Sequence, residues 1–157
     1  MARARLRGQK THYHHGDLRR ALMDAAITLI DIRGRDALTL REAARRAGVS
    51  EAAPYRHFAN LDELLGAVAL EGYEMLIGDL ENTGGVRALR EAYLGFAGDF
   101  PGRYALMFGP LRDRKAAARR KEEVAHLAEL TGRAGGLAVL HGAASLALAG
   151  LEDAAAA

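Results

Sequence analysis

An all-α fold is predicted for this chain of 157 residues, and three observations carry the prediction. Alanine and leucine abound, β-branched runs are scarce and there are three prolines, a composition that favours helix almost throughout. Apolar residues recur at helical spacing in one segment after another. Residues 38–58, LTLREAARRAGVSEAAPYRHF, read as two short helices joined by a tight turn with a glycine in it, which is the helix-turn-helix unit.

Bulk properties bound the function. Half of the residues are hydrophobic, enough for one sizeable core or two small ones. The absence of cysteine excludes disulfides and thiolate metal sites. No stretch approaches the roughly eighteen uncharged apolar residues of a membrane span. The basic N-terminus lacks the apolar run of a signal peptide. A cytoplasmic protein without membrane contact is expected. The net charge of +2 divides unevenly: residues 1–58 carry +6 and residues 59–157 carry −4. A basic front end on an acidic back end suits a polyanion-binding head on a body with another task, although a solvated surface of uneven charge also fits.

Residues 1–11 (MARARLRGQKT) have no apolar period and read as an arm, either lying along DNA or solubilising the terminus. His12, His14 and His15 lack the one-turn spacing of a zinc site, so no metal is expected. His14 and His15 are able to donate to phosphate whether neutral or charged. Residues 16–32 form a long helix with Leu18, Leu22, Ala25, Leu29 and Ile32 as its core stripe, stopped at Gly34. Thr39 is placed to N-cap the next helix, with Glu42 three residues on, where a capping box wants it. Leu40, Ala43, Ala44 and Ala47 form its apolar stripe, Gly48 leaves it with positive φ, and Val49 tucks under the turn. Arg41 lies opposite that stripe and reaches a phosphate or a guanine edge; Arg45 reads as a solvated surface arginine.

Ser50 is expected to N-cap the second helix near phosphate, with Ala53 and Phe58 facing inward. At its leading end Glu51 is able to accept from a cytosine amino group, and Ala52 or Ala53 to touch a thymine methyl. Arg56 suits a phosphate or a base. Pro54 is four residues past the cap, at the margin of what a helix tolerates, so the first turn is expected to open slightly.

Asn60 caps a helix over residues 60–80, with Asp62 and Glu63 in its first turn and Leu64, Leu65, Val68, Tyr73, Leu76 and Leu80 inward. ENTGG at 81–85 marks a domain boundary. Helices follow over 86–100 (apolar members Leu89, Tyr93, Leu94 and Phe96), 103–108, 112–131 and 137–151, the last lined by Leu140, Ala144, Leu148 and Leu151. Three units result: 1–59, 60–82 and 83–157. No phosphate loop, nucleophile elbow, HExxH or paired-carboxylate motif occurs, so neither an enzyme nor a cofactor is expected. Tyr93, Phe96, Tyr104, Met107, Phe108 and His141 are able to line a pocket between helices, or to form plain core. Gly142, Ala143, Ala147 and Gly150 would let a second helix approach the last one closely.

GVS followed by YRHF, preceded by HYHHGDLRRALMDAAITLIDIRG and LTLREAARRAG, resembles the TetR family of transcriptional repressors. The resemblance is strong over residues 11–73. It is weaker at PGRYALMFGP (101–110) and HGAASLALAG (141–150), which are similar to the ligand-binding half of one subgroup. It implies that residues 1–59 are an arm and DNA-binding head, 60–82 a linking helix and 83–157 a helical ligand-binding and dimerisation body, that residues 13–16 open the first helix against the DNA backbone, that Arg41 touches DNA, and that Tyr55 and His57 bond phosphate. The expected DNA contacts are thus Tyr13, His14, His15, Thr39, Arg41, Ser50, Glu51, Ala52, Ala53, Tyr55, Arg56 and His57. Where the family often carries a phosphate-binding lysine this chain has Leu61, and that contact is not carried over. The resemblance also raises the pocket reading, and implies a homodimer formed through the last two long helices. A repressor is expected: double-stranded DNA with a palindromic operator is its partner, and a small, largely apolar effector releases it. A helical scaffold without DNA binding, using the charged 112–121 face, is the alternative. The body is short for the family; segments missing near 82–86 and 131–137, or a compact body, each account for that.

Overall fold

Residues 18–150 are described by a computed structural model. In chain order they form α1 (Leu18–Arg33), a 3-10 turn (Arg35–Ala37), α2 (Leu40–Arg46), a second 3-10 turn (Ala53–Arg56) and α3 (Leu61–Glu81). Then come α4 (Val86–Asp99), α5 (Pro101–Phe108), α6 (Arg114–Thr131), a third 3-10 turn (Gly132–Ala134) and α7 (Leu137–Leu148). No strand occurs among the described residues. The expectations for the arm, for Tyr13, His14 and His15, and for Leu151 lie outside them.

α3 organises the rest because its two halves enter different cores. Leu64, Leu65, Val68 and Ala69 pack with Leu22, Ala26, Leu29, Ala43 and Phe58 in a head core. Tyr73, Leu76, Ile77 and Leu80 pack with Leu89, Tyr93, Phe96, Tyr104, Met107 and Leu140 in a body core. Every residue expected on the inner face of this helix is buried, and each large side chain so covered contributes about 1.5–3 kcal/mol. Asn60 caps it by accepting from the Glu63 amide at 2.9 Å, while the Glu63 carboxylate reaches back to the Ala59 amide at 2.6 Å. Gly66 lets α6 lie on α3: a Cβ there would stand 2.6 Å from the Ala116 Cβ.

Two apolar residues depart from the expected stripes. Ile32 is 65% exposed, and the buried row of α1 runs instead through Ala26 and Ile30. Leu94 is 38% exposed on α4, at an open groove between α4 and α7 that Ala143 and Ala147 also line. The break expected at Pro101 falls at Phe100, which ends α4 and precedes α5. Pro101 occupies the first helical position, where a missing N–H costs nothing.

A charged cross-tie joins three helices. The Glu71 carboxylate on α3 accepts from Arg20 of α1 and from Arg103 of α5. Arg103 is buried, and its Nε is the one buried side-chain polar atom without a partner among the described residues.

Candidate nucleic-acid interface

α2 is held at both ends by local chemistry. Thr39 Oγ1 accepts from the Glu42 amide at 3.1 Å, as the sequence predicts. The reciprocal half of the box is replaced: the Glu42 carboxylate accepts from Arg33 at 3.1 Å and from Arg45 at 3.3 Å, since two guanidiniums hold a carboxylate better than one backbone amide does. At the other end the Val49 amide donates to the Ala44 carbonyl (3.0 Å) and the Gly48 amide to the Arg45 carbonyl (3.2 Å). These two bonds make a Schellman motif, with Gly48 at φ 72° supplying the left-handed residue and Val49 packing against the head core.

The second helix of the motif is not the expected α-helix. Residues 51–52 form a turn and Ala53–Arg56 a short 3-10 helix, and the Ser50 side chain caps neither. Pro54 is the reason. An α-helix capped at Ser50 would need the Pro54 amide on the Ser50 carbonyl, and proline has no N–H. That carbonyl accepts instead from Ala53 at 3.0 Å, and the Pro54 carbonyl takes both the His57 amide (2.9 Å) and the Phe58 amide (3.0 Å). The opening is thus larger than a slightly loosened first turn. It also changes what faces inward: Pro54 and Phe58 are buried, and Ala53 is only half-buried. The Arg19 guanidinium lies 5.3 Å from the Phe58 ring centre and fastens the segment to α1.

With Pro54 and Phe58 as anchors, Glu51, Ala52, Tyr55, Arg56 and His57 are turned outward. Tyr55 is 57% exposed, so it is not a core residue. Arg41 is exposed too, with its Nε 3.5 Å from Glu51 Oε2. Arg41 and residues 51–57 therefore form one exposed strip across both parts of the motif. A solvated pair such as Arg41–Glu51 is worth at most about 1 kcal/mol, so a phosphate can compete for the guanidinium. Thr39 and Ser50 are exposed at the ends of the strip.

In the body, the six residues expected around a pocket are brought together. Tyr93 and Tyr104 have their hydroxyls 3.3 Å apart, and the Tyr104 hydroxyl is 2.6 Å from His141 Nδ1. Phe108 packs on His141 and Tyr104, with ring centres at 4.4 and 4.8 Å. Phe96 and Met107 are buried beside them, and the Tyr73 hydroxyl donates to the Met107 carbonyl at 2.6 Å. Burial pushes the Tyr73 pKa up to about 12, raises those of Tyr93 and Tyr104, and lowers that of His141. All four groups are thus neutral at pH 7, a chain of hydrogen-bonding groups in apolar surroundings. Outside this core, a groove of about 520 Å³ between α4 and α7 is lined by Val86, Leu94, Leu140 and Ala143 together with the charged Arg87, Arg90 and Glu91. A second, of about 400 Å³, adjoins it through Leu94 and Ala143 and reaches Ala147 and Leu148. Among the described residues no group of three or more His, Asp or Glu side chains is placed to hold a metal ion, and no helix is long and apolar enough to cross a membrane.

The model of the TetR family of bacterial regulatory proteins matches residues 22–68, which hold the helix-turn-helix and the start of α3. The chain is 31% identical over 94 residues to an uncharacterized HTH-type transcriptional regulator, Rv0681, of Mycobacterium tuberculosis; the match covers 55% of this chain and 43% of that relative. A structure from Rhodococcus sp. RHA1, described as a protein with unknown function, is 31% identical with a TM-score of 0.71, and the match covers 92% of this chain and 89% of that one. A TetR family transcription regulator from Marinobacter aquaeolei VT8 shares the fold at 15% identity, with a TM-score of 0.60 over 85% and 84% of the two chains. Residues 22–68, which hold this motif, thus match the TetR family of bacterial regulatory proteins, and the whole chain shares its arrangement of helices with the Rhodococcus and Marinobacter structures.

Proposed function

We propose that this protein is a cytoplasmic repressor that binds a palindromic operator as a homodimer and leaves it when a small, largely apolar molecule enters the body. The observation that carries the reading is the exposed strip of Arg41, Glu51, Ala52, Tyr55, Arg56 and His57, presented outward on the buried Pro54 and Phe58. In a helix-turn-helix the leading end of the second helix meets base edges while its flanks meet phosphate. On this chain Glu51, Ala52 and Ala53 take the first role, and Thr39, Arg41, Ser50, Tyr55, Arg56 and His57 the second. Because the segment is a 3-10 helix, fewer side chains reach the groove floor than from a full α-helix.

Pairing is supported by apolar side chains left open on α4 and α7: Val86, Leu94, Val139, Leu146 and Leu148. The exposed face of α6 is charged, so α7 with α4 suits a partner copy better than the last two long helices do. Two-fold pairing would set the two strips about one DNA turn, roughly 34 Å, or a multiple apart. The effector's place is among Tyr93, Phe96, Tyr104, Met107, Phe108 and His141, where neutral hydroxyls and an imidazole lie in an apolar setting. These groups touch one another, so an effector must part them, and that movement would supply the differential affinity that release requires.

Capture of genomic fragments by the full chain, followed by mobility-shift titration, tests the reading. One fragment class should bind far more tightly than bulk DNA, and Tyr55→Phe and Arg41→Ala should each weaken that binding about tenfold, as expected when one charge-assisted bond to phosphate is removed. Uniform binding to all fragments, or variants that bind like the parent, would refute it.

A further inference from the structure

The acidic half of the chain contains one strongly basic segment. Residues 112–121 (RDRKAAARRK) hold six cations and one carboxylate, a net +5 within a half whose net charge is −4. Arg119 is paired with Glu74 and Glu123, and Arg120 donates to the Gly109 carbonyl. Among the described residues, Arg112, Arg114, Lys115 and Lys121 are exposed and show no ion pair or hydrogen bond. Arg114 and Lys115 also occupy the first turn of α6, directly behind the Asp113 cap, whose carboxylate accepts from the Ala116 amide at 2.7 Å. That is the end of a helix whose dipole favours anions, so two cations there oppose helix stability.

The fold does not leave this corner on the far side of the body. Leu111 packs into the head core. The Pro110 carbonyl accepts from Arg35 Nη1 at 2.9 Å. Asp113 and Ala116 lie against Gly66 of α3. Two chain lengths then bound the distance to the strip. Arg35 is four residues before Thr39, a span of at most about 14 Å. Gly66 is five residues into α3, about 7.5 Å of rise from the end that follows His57 and Phe58. The corner is thus carried by the head, against the segment that leads into the helix-turn-helix and against the first turns of α3.

We infer that Arg112, Arg114 and Lys115 form a second duplex-binding surface, on the body side of the junction, which holds the DNA backbone beside the segment read by the helix-turn-helix. This rests on the DNA-binding reading above. The surface has no side chain that selects a base, so its contribution is affinity and footprint length, not sequence preference.

The test compares the full chain with its R112Q/R114Q/K115Q variant on a fragment captured by the parent and on a mixed-sequence 40-base-pair duplex, across a salt series. All three positions are exposed, and thermal unfolding verifies that the variant folds like the parent. Each phosphate neutralised by a protein cation steepens the fall of log K with log salt by about 0.9. The expected result for the variant is a slope shallower by two to three and weaker binding to both duplexes by a similar factor, with the preference between them kept. A parent that binds duplex while the variant shows the same slope would overturn this inference alone. A parent that binds no duplex would overturn the DNA-binding reading itself. Vesicles containing 30% phosphatidylserine form the third arm: vesicle binding that disappears in the variant, with duplex slopes equal, would assign the surface to a membrane and also overturn the inference.

Discussion

The head core and the body core are built from different materials. The head core is closed by Leu, Ile, Val, Met and Ala side chains around one aromatic ring, Phe58, and contains no tyrosine. The body core contains Tyr73, Tyr93 and Tyr104, with a half-buried histidine at its edge. A dry aliphatic core has one good packing and resists rearrangement. A core threaded by hydrogen bonds has alternative partners, provided every polar group finds one. The head therefore suits a rigid carrier of an exposed strip, and the body suits a part that changes. The Arg20–Glu71–Arg103 cross-tie spans the two.

The sharpest way to break this division is to cut the cross-tie. Glu71→Ala leaves Arg103 buried without its carboxylate, and loss of one partner of a buried pair costs about 3–5 kcal/mol. Urea unfolding should register that loss. A change below about 1 kcal/mol, the worth of a solvated pair, would show that Arg103 finds another partner and that the two regions are not tied through it. Next in size is Tyr104→Phe, which strips the Tyr93 hydroxyl and His141 Nδ1 of their shared neighbour and should cost about 1–3 kcal/mol. The same site has a pH signature. Burial holds the His141 pKa below its ordinary 6.5, so the unfolded chain takes up protons first as the pH falls. Its contribution is complete above about pH 6.5 and is lost as the pH drops through the folded-state value. His141→Phe should flatten that acid limb in a series of melts, and an unaltered limb would exclude His141 as its source. The smallest effect belongs to the head: Gly48→Ala meets no atom within 4 Å, so only the left-handed backbone is strained, by about 1–2 kcal/mol. A larger loss would show that the turn is crowded as well as twisted.

Much of the head is legible in the sequence because its signals are local. The Thr39 and Asn60 caps, the Gly48 turn and the inner face of α3 each depend on residues within a turn or two of one another. Pro54 is visible as an irregularity, but its consequence is larger than its position after the cap suggests: removal of one amide converts the segment to 3-10 geometry and turns Pro54 inward in place of Ala53. Ile32 and Leu94 escape the inner faces expected for them for a different reason. Periodicity says that a helix has an apolar face, while the edge of that face depends on which neighbour covers it.

The amino-acid sequence by itself determined an all-α chain, the positions of α1–α7 though not the 3-10 form of the segment after Gly48, the turn at Gly48 and the basic character of residues 112–121. Only the tertiary structure decided that the two halves of α3 serve separate cores, that Glu71 joins Arg20 to Arg103, and that the basic corner rests against Gly66 and Arg35. These contacts join residues far apart in the chain, beyond the reach of any periodic pattern. They arise where surfaces without a local preference for each other are pressed together by the burial of their neighbours.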